Sequence, residues 1–420
     1  MNGKQLSSLV PKLRFPEFVG EPAWERIGLI KLAKRITQRN SQGAHLRTLT
    51  NSAERGIVDQ REYFDRDITT NIDNYYIVEQ GDFVYNPRIS SAAPVGPISK
   101  NQIGTGVVSP LYTVFRFRNQ ATEFFAHYFR SSHWHGYLRG VANSGARHDR
   151  MAITNDDLMR MPIPTPSPRE QQKIADCLGS LDDLIAAEGR KLEALRQHKR
   201  GLVQQLFPEL GETLPQTRFP EFRDQPAWQV RKISELLEKV AIELQADHNT
   251  SYREIGVRSH GRGVFHKAAT FGSLIGEKRV FQVIENALVF NIVFAWEGAV
   301  ATTSPAEAGM IASHRFPMYV PRSGAADVRF MKYAFLTRSG AHLLHVASPG
   351  GAGRNRTLGK SDLEKLTMIV PGREEQAAIA NALDAVGELI DLQINRVNAL
   401  ALHKQGLLQQ LFPSPEEEPR

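Results

Sequence analysis

An eleven-residue phrase occurs twice in this chain, as HKRGLVQQLFP at 198–208 and as HKQGLLQQLFP at 403–413. The match extends backwards without a gap, so that 170–208 aligns with 375–413 at a shift of 205 residues. Solenoid proteins repeat every 20–50 residues, which is far shorter than this period. The sequence therefore predicts two large, related segments joined in tandem, each ending in the same helical block.

A second pair of matching segments opens each half: PKLRFPEFVGEPAW at 11–24 and PQTRFPEFRDQPAW at 215–228. A chain of 420 residues is long enough for two or three domains of ordinary size. We therefore predict four segments, which alternate between variable and helical character. They are a first variable domain at 1–160, a central helical spacer at 161–214, a second variable domain at 215–367, and a C-terminal helix and tail at 368–420.

The two helical blocks carry recognisable start and stop signals. Ser167-Pro168-Arg169-Glu170 forms a capping box with proline at the first helical position, and Gly372 with Glu375 takes the same places in the second block. Pro208 and Pro413 end the two helices. Each helix is therefore expected to run for about 40 residues, or roughly 60 Å at 1.5 Å per residue.

Apolar residues in both helices recur in alternating steps of four and three over nearly six heptads. This spacing is typical of a coiled-coil seam rather than of a helix on a globular core. The predicted seam residues are Ile174, Leu178, Leu181, Ile185, Leu192 and Leu195 in the first helix and Ile379, Leu383, Val386, Ile390, Val397 and Leu400 in the second.

Antiparallel pairing of the two helices is favoured, because it brings the end of the first helix near the start of the second. Two gaps in each seam hold polar residues, and antiparallel pairing allows Glu188 to face Lys404 and Gln393 to face Lys199. The alternative is that both lysines merely extend their ammonium groups into water. The sequence does not choose between these two possibilities.

The variable domains mix short β-like runs with amphipathic helices. YYIVEQGDFVYN at 75–86 and RVFQVIENALVFNIVF at 279–294 are rich in the Val, Ile, Phe and Tyr that strands favour. TEFFAHYFRSS and VRFMKYAFLTRSG follow at corresponding positions as helices. The predicted fold class is α+β: two similar domains separated by two long helices that form an antiparallel coiled coil, with pseudo-twofold tandem repetition.

Basic clusters punctuate the loops of both variable domains. Arginine beside glycine and asparagine suits phosphate contacts and the reading of guanine edges, although each cluster alone is also what a solvated loop looks like. GARHDR and GAGRNR stand at matching places before the two long helices, which favours nucleic-acid binding. The candidate DNA-binding residues are Arg147, His148, Arg150, Arg258, Arg262, Lys278, Arg354, Asn355 and Arg356.

The sequence signals no catalytic or metal site. YNPRIS resembles the Asn-Pro-Pro-aromatic motif of amino-methyltransferases, but Arg88 breaks it, and no Walker or dinucleotide loop follows a strand. His133 and His135 are expected to be packing or surface residues rather than ligands. A single cysteine, no apolar run of transmembrane length and no signal-peptide core indicate a cytoplasmic protein without membrane contact. Lys and Arg exceed Asp and Glu by 52 − 45 = 7, a modest surplus suited to a polyanion partner.

The arrangement resembles the specificity subunit of type I restriction–modification systems over essentially the whole chain. The resemblance is carried by KLRFPEF and its echo QTRFPEF, by PIPTPSPREQQKIA and IVPGREEQAAIA, and by the two QQLFP endings. Gly372 departs from the family, which often has a serine or leucine-type residue before the second helix. The resemblance implies that each variable domain is a target-recognition domain that reads one half of a bipartite DNA site.

It also implies that the helices set the spacer between the half-sites and dock two methyltransferase subunits, joined by motor/nuclease subunits in the full complex. S-adenosylmethionine, ATP and Mg are then expected in those partners, with no cofactor and no catalytic site in this chain. Two other classes remain open from the residues alone. One is a self-contained DNA methyltransferase or nuclease, and the other is a coiled-coil scaffold without DNA contact.

Overall fold

The computed structural model describes residues 9–41, 47–65, 72–119, 122–142, 149–350 and 356–413. The chain forms two units: unit 1 comprises Met1–Gly189 and Asn395–Arg420, and unit 2 comprises Arg190–Ile394. Each unit therefore takes part of both long helices. The predicted boundaries at 160, 214 and 367 follow sequence blocks instead, and they stay a prediction.

Unit 1 begins with short strands, continues with small helices and ends in the first long helix. Its elements are β1 (Glu25–Gly28), α1 (Leu29–Leu32), β2 (Ala33–Ile36), β3 (Leu49–Ser52), β4 (Gly56–Asp59), α2 (Gln60–Phe64), β5 (Tyr76–Val78), β6 (Phe83–Tyr85), β7 (Ile98–Lys100), β8 (Gly106–Val108), β9 (Thr113–Phe117), α3 (Glu123–Tyr128), α4 (His135–Val141), α5 (Asn155–Arg160), β10 (Pro162–Thr165) and α6 (Pro168–Leu206), whose second half lies in unit 2.

A four-stranded antiparallel sheet in the order β2-β9-β6-β7 forms the framework of unit 1. Phe83 of β6 stands opposite Phe115 of β9, and both side chains are fully buried. The rings of Phe117 and Phe129 pack against this pair, and Phe125 stacks on Phe117. The aromatic and β-branched runs seen in the sequence thus form a sheet whose inner face binds helices α3 and α4.

Unit 2 follows the same plan with additional short strands. Its elements are β11 (Gln229–Lys232), α7 (Ile233–Leu236), β12 (Leu237–Val240), β13 (Glu243–Leu244), β14 (Ser251–Tyr252), β15 (Ile255–Val257), β16 (Val264–His266), β17 (Thr270–Phe271), α8 (Gly272–Ile275), β18 (Val280–Gln282), β19 (Leu288–Phe290), β20 (Val300–Thr302), β21 (Ile311–Ser313), β22 (Met318–Pro321), α9 (Val328–Leu336), α10 (Arg338–Val346), α11 (Lys360–Lys365), β23 (Thr367–Val370) and α12 (Arg373–Gln410), whose second half lies in unit 1.

The order of strands in the main sheet is the same in the two units. The sheet β12-β22-β19-β20 of unit 2 corresponds to β2-β9-β6-β7 of unit 1, and the pair β11-β23 corresponds to β1-β10. A three-stranded sheet, β13-β18-β21, and the pairs β14-β17 and β15-β16 complete unit 2. The predicted α+β class and tandem repetition are confirmed.

Helices α6 and α12 are 39 and 38 residues long, as the capping and proline signals predict. Of the predicted seam residues, Ile174, Leu178, Ile379 and Leu383 are buried, and the remaining eight are partly buried. The assignment of these twelve residues to one coiled-coil seam stays a prediction. Within the part of the chain that the structure describes, no helix is both long enough and apolar enough to cross a membrane.

The two long helices run in opposite directions. In unit 1 the first half of α6 packs with the end of α12, where Leu411 and Phe412 are buried. In unit 2 the end of α6, with Leu206 and Phe207 buried, packs with the first half of α12. Both observations confirm the antiparallel pairing.

The predicted register is wrong by about one heptad. Lys404 is buried and bonds Asp182 rather than Glu188, whose carboxylate lies 2.7 Å from Arg396. Lys199 Nζ lies 3.4 Å from the hydroxyl of Tyr333. A slip of one heptad keeps every apolar layer intact, so the seam alone does not fix the register.

A buried ion pair explains why the opening motif and the helix start are both repeated. Arg14 of the first RFPEF motif donates two hydrogen bonds of 2.8 Å to Glu170, whose side chain is 1% exposed. Ser167 Oγ accepts from the Glu170 amide at 3.4 Å, but the Glu170 carboxylate faces Arg14, so the expected reciprocal capping box is wrong. Arg218 and Glu375 form the same pair in unit 2, at 2.9 and 2.6 Å.

Candidate nucleic-acid interface

The hairpin β15–β16 of unit 2 presents an arginine-rich loop. Its residues 258–263, RSHGRG, form a tight turn in which His260, Gly261 and Gly263 adopt positive φ angles of 60°, 64° and 78°. Left-handed backbone is costly for a non-glycine residue such as His260 and persists only where surrounding contacts hold it. The loop is therefore held in one conformation by its neighbours.

Those neighbours belong to the turn that follows β19. The amides of His260 and Gly261 donate to the carbonyls of Glu297 and Gly298, both at 2.9 Å. Ser259 Oγ adds a 3.0 Å hydrogen bond to the Glu297 carboxylate. The loop and the 295–298 turn thus form one surface from two separate parts of the sequence.

Three arginines lie on this surface. Arg258 stacks over the ring of Phe265 at 4.9 Å, and Arg262 Nε donates to a carbonyl of its own loop at 3.2 Å. Arg356 lies over the ring of Trp296, 5.7 Å from its centroid, and its Nη1 is 2.7 Å from a ring nitrogen of His345. Guanidinium groups braced on aromatic rings keep their donor edges directed outwards, as phosphate or base contacts require.

Unit 1 builds a smaller counterpart beside the end of β6. Arg88 and Arg150 stand side by side in an isolated antiparallel bridge, with the Ile89 amide donating to Asp149 O at 3.0 Å. The Met151 amide donates to Pro87 O at 2.8 Å. In unit 2 the Leu358 amide makes the same bond to Ile292 O, also at 2.8 Å. The arginine-bearing segments thus occupy matching places in the two units.

The buried side-chain amide of Asn86 holds the backbone of the loop that carries Arg88. Asn86 donates to Asn51 O at 3.0 Å and accepts from the Arg88 amide at 3.0 Å. A side chain at Gly96, where φ is +79°, would meet Asn86 O at 2.1 Å, so only glycine fits this close approach. Arg88 therefore projects from a firmly positioned backbone, and it is exposed.

The predicted DNA-binding residues divide into three groups. Arg258, Arg262 and Arg356 come together around the 295–298 turn, and Arg150 lies beside Arg88. Lys278 is exposed but lies elsewhere, in the turn before β18. The remaining candidates, Arg147, His148, Arg354 and Asn355, lie outside the described residues.

Three contributors escaped the sequence reasoning as site residues: Trp296, His345 and Arg88. Trp296 sits in a 3-10 turn, and its indole donates to Val293 O at 3.1 Å. An aromatic residue in an irregular turn has no periodic signal, and its pairing with Arg356 spans 60 positions of the chain. Among the residues described, no three or more His, Cys, Asp and Glu side chains are grouped so as to hold a metal ion.

The fold of this chain is similar to that of solved structures from type I restriction–modification systems. A solved S subunit of a type I restriction–modification system from M. genitalium matches 96% of this chain and 99% of its own, with a TM-score of 0.57 and 12% identity. A chain from a structure described as showing complex assembly and conformational transition of the type I R-M system matches 93% of this chain and 98% of its own, with a TM-score of 0.53 and 15% identity. The fold is that of a type I specificity subunit.

Sequence comparison agrees. Residues 57–197 match the family model described as type I restriction modification DNA specificity domain. The putative type I restriction enzyme MjaX specificity subunit of Methanocaldococcus jannaschii is 23% identical over 270 residues, which cover 63% of this chain and 61% of that relative. The MjaIX specificity subunit of the same organism is 27% identical over 179 residues, 40% of this chain and 38% of the relative. The chain is thus similar to type I restriction–modification specificity subunits, in sequence over part of its length and in fold over nearly all of it.

Proposed function

We propose that this chain is the DNA-recognition subunit of a type I restriction–modification complex, in which each unit reads one half of a bipartite duplex site. The observation that carries the proposal is the matched placement of the segments that hold Arg150 and Arg356, which pair with the residues after β6 and after β19 respectively. Two related surfaces that differ in their side chains suit two different half-sites. Guanidinium groups there would contact phosphates and guanine edges in the major groove.

The chain itself would supply recognition rather than chemistry. The sequence supports this division, because no Walker or dinucleotide loop follows a strand and Arg88 breaks the near match to an amino-methyltransferase motif. S-adenosylmethionine, ATP and Mg would then belong to the methyltransferase and motor/nuclease subunits. Methylation of a DNA substrate by the purified chain with S-adenosylmethionine would overturn this division of labour.

Salt-dependent binding to duplex DNA tests the recognition surface. Replacing Arg356 with alanine should weaken binding by about 1–3 kcal/mol and relax one base position if it reads a base, or lower the salt slope by about one if it contacts a phosphate. Arg231→Ala is the matched control, because Arg231 is a partly exposed arginine of unit 2 that pairs with Glu235 at 2.8 Å. Sequencing the methylated adenines of the host genome supplies the target site for the assay.

Equal loss of affinity in both variants would contradict a local role for the Trp296 surface. Absence of any binding to duplex DNA by the chain and by its complex would favour a coiled-coil scaffold. The spacer role is tested separately by deleting one heptad from α6 and the facing heptad from α12. The tolerated gap between the half-sites should change while both half-sites stay the same.

The helices α6 and α12 also present similar exposed surfaces, which two copies of one partner could bind. Leu184 of α6 and Leu389 of α12 occupy equivalent positions, 205 residues apart, and are 40% and 52% exposed. Asp183 and Glu388, one position earlier, are exposed as well. An exposed leucine beside an acid, repeated once in each unit, is the pattern that two identical methyltransferase subunits would require.

Aspartate substitution at either leucine should reduce the number of bound methyltransferase subunits from two to one, as counted by native mass spectrometry. Leu402→Asp is the control, since Leu402 is 70% exposed but its equivalent in α6 is Gln197. Retention of two subunits by both leucine variants would exclude this surface as the docking site.

A further inference from the structure

Unit 1 contains an open groove of about 590 Å³ between α3 and the first half of α6. Four carboxylates and a single guanidinium line it, together with small side chains and one histidine. The lining residues that matter here are Glu123, Ala126, His127 and Arg130 from the side of α3 and Asp176, Gly179, Asp182 and Asp183 from α6.

The carboxylates of this groove are unevenly neutralised. Lys100 pairs with Glu123, and Lys404 and Arg130 both pair with Asp182. Asp176 accepts a hydrogen bond of 2.8 Å from the neutral amide of Gln172, one turn earlier on the same helix. Asp183 is exposed at the groove. Asp176 and Asp183 thus leave negative charge on the α6 wall.

His127 forms the buried part of the groove. Its side chain is 5% exposed, and its Nδ1 has no hydrogen-bond partner among the residues that the structure describes. Burial, together with the neighbouring Lys404 and Arg130, lowers the pKa of His127 to about 4, so the imidazole is neutral at pH 7. A buried polar atom without a partner is rare and calls for a ligand or water.

Unit 2 shows what occupies the corresponding place there. Each unit contains three aromatic rings in contact, and the distances between ring centroids agree between the units. The tryptophan lies 5.7 Å from its first phenylalanine in unit 1 and 5.9 Å in unit 2, the two phenylalanines are 5.3 and 5.1 Å apart, and the tryptophan lies 6.4 and 6.3 Å from the second phenylalanine. The triads are Trp24, Phe124 and Phe412 in unit 1 and Trp228, Phe330 and Phe207 in unit 2. With Phe124 matched to Phe330, the equivalents of Glu123, Ala126 and His127 are Arg329, Lys332 and Tyr333, and those of Asp176 and Gly179 are Asn381 and Asp384.

In unit 2 the chain's own cations fill the space. Arg329 Nη1 donates to Asn381 at 2.8 Å and lies 3.3 Å from Asp384, while Lys332 lies 3.5 Å from the same carboxylate. Tyr333 donates to Asp384 at 2.6 Å. In unit 1, Glu123 and Ala126 stand where unit 2 has the two cations, and Gly179 stands where unit 2 has Asp384. Because these side chains do not fill the space, a groove remains open in unit 1.

We propose that the groove of unit 1 binds an arginine side chain of a protein partner, which takes the place that Arg329 fills in unit 2. Asp176 and Asp183 would receive the guanidinium, beside the neutral imidazole of His127. Arginine fits because its planar fork donates to several acceptors at once. The interaction is independent of DNA reading, and it serves a partner that engages one unit only.

Isothermal titration of the full chain with the capped tripeptide Gly-Arg-Gly tests the proposal, with capped Gly-Gln-Gly as the neutral comparison. Saturable binding of the arginine peptide alone is expected. Binding should weaken at least tenfold in the double variant Asp176→Asn/Asp183→Asn. It should weaken as much in Glu123→Arg/Gly179→Asp, the filled variant, which introduces the residues that occupy these positions in unit 2. A Cβ at Gly179 meets nothing within 4 Å, so this filled variant is expected to fold.

Glu388→Gln, which neutralises the unit 2 equivalent of Asp183, is the control and should bind the arginine peptide like the wild type. Thermal melting of each variant verifies folding. Binding that is equal in the wild type and the filled variant, or no saturable binding to the wild type, would overturn the proposal. Tighter binding of spermidine than of the arginine peptide would also overturn it, in favour of a free polyamine.

Discussion

Breaking the Arg14–Glu170 pair should open unit 1 while leaving unit 2 intact. Arg14 is 7% exposed in its side chain, and besides Glu170 it serves the carbonyls of Glu21 and Pro22 at 2.8 and 3.0 Å. Arg14→Met would leave the Glu170 carboxylate, 1% exposed, without its counter-ion. Loss of one partner of a buried ion pair costs about 3–5 kcal/mol.

At about 1.4 kcal/mol per factor of ten, that loss corresponds to roughly a 100- to 3,000-fold decrease in amide protection. Native-state hydrogen exchange with mass spectrometry measures it on peptides from the start of α6. Peptides from the start of α12 serve as the internal reference. Arg218→Met should produce the mirror image, with loss of protection in unit 2.

Removing both charges distinguishes a buried-charge penalty from simple loss of packing. Arg14→Met/Glu170→Leu leaves no unpaired ion, and such replacements are often neutral or stabilising. The double variant should therefore recover most of the protection that Arg14→Met loses. A double variant as unprotected as the single one, or a single variant that costs less than about 1 kcal/mol, would refute the reasoning.

Two further outcomes are expected. Burial lowers the pKa of His127 and of His135 to about 4, below the value near 6.5 in the unfolded chain. Their contribution to the free energy of unfolding is therefore complete above about pH 6.5 and is lost as the pH falls towards 4. For His127 alone the loss between pH 7 and 5 is about 2 kcal/mol, and urea denaturation of His127→Gln should lack that part. Phe412→Ala should destabilise unit 1, and Phe207→Ala unit 2, by about 3–5 kcal/mol each in hydrogen exchange; destabilisation of the opposite unit would contradict the packing described.

The long helices were predictable because their signals are local. Proline and capping residues mark the ends, and the 4–3 spacing of Ile174, Leu178 and Leu181 needs no knowledge of the rest of the fold. The register was not predictable from the seam. It is defined by contacts of residues outside the predicted seam, such as Asp182 with Lys404, which the spacing of apolar residues does not reveal.

Contacts between residues far apart in the sequence limited the prediction of the ion pair and of the candidate site. Glu170 looked like a member of a local capping box, but its partner Arg14 lies 156 positions away. Trp296 and Arg356 meet because a turn after β19 and a segment before α11 fold together, and neither segment has a periodic pattern. The arginine-rich loops were visible as composition, whereas the surface that they share required the folded chain.

The burial of Phe412 in unit 1 has a consequence for synthesis. On the ribosome, domains ordinarily mature in order from the N-terminus. Here unit 1, whose translation starts before that of unit 2, lacks Phe412 until residue 412 emerges, whereas unit 2 is a continuous stretch of chain that ends before it. Of the two units, the one whose translation starts earlier is thus completed later.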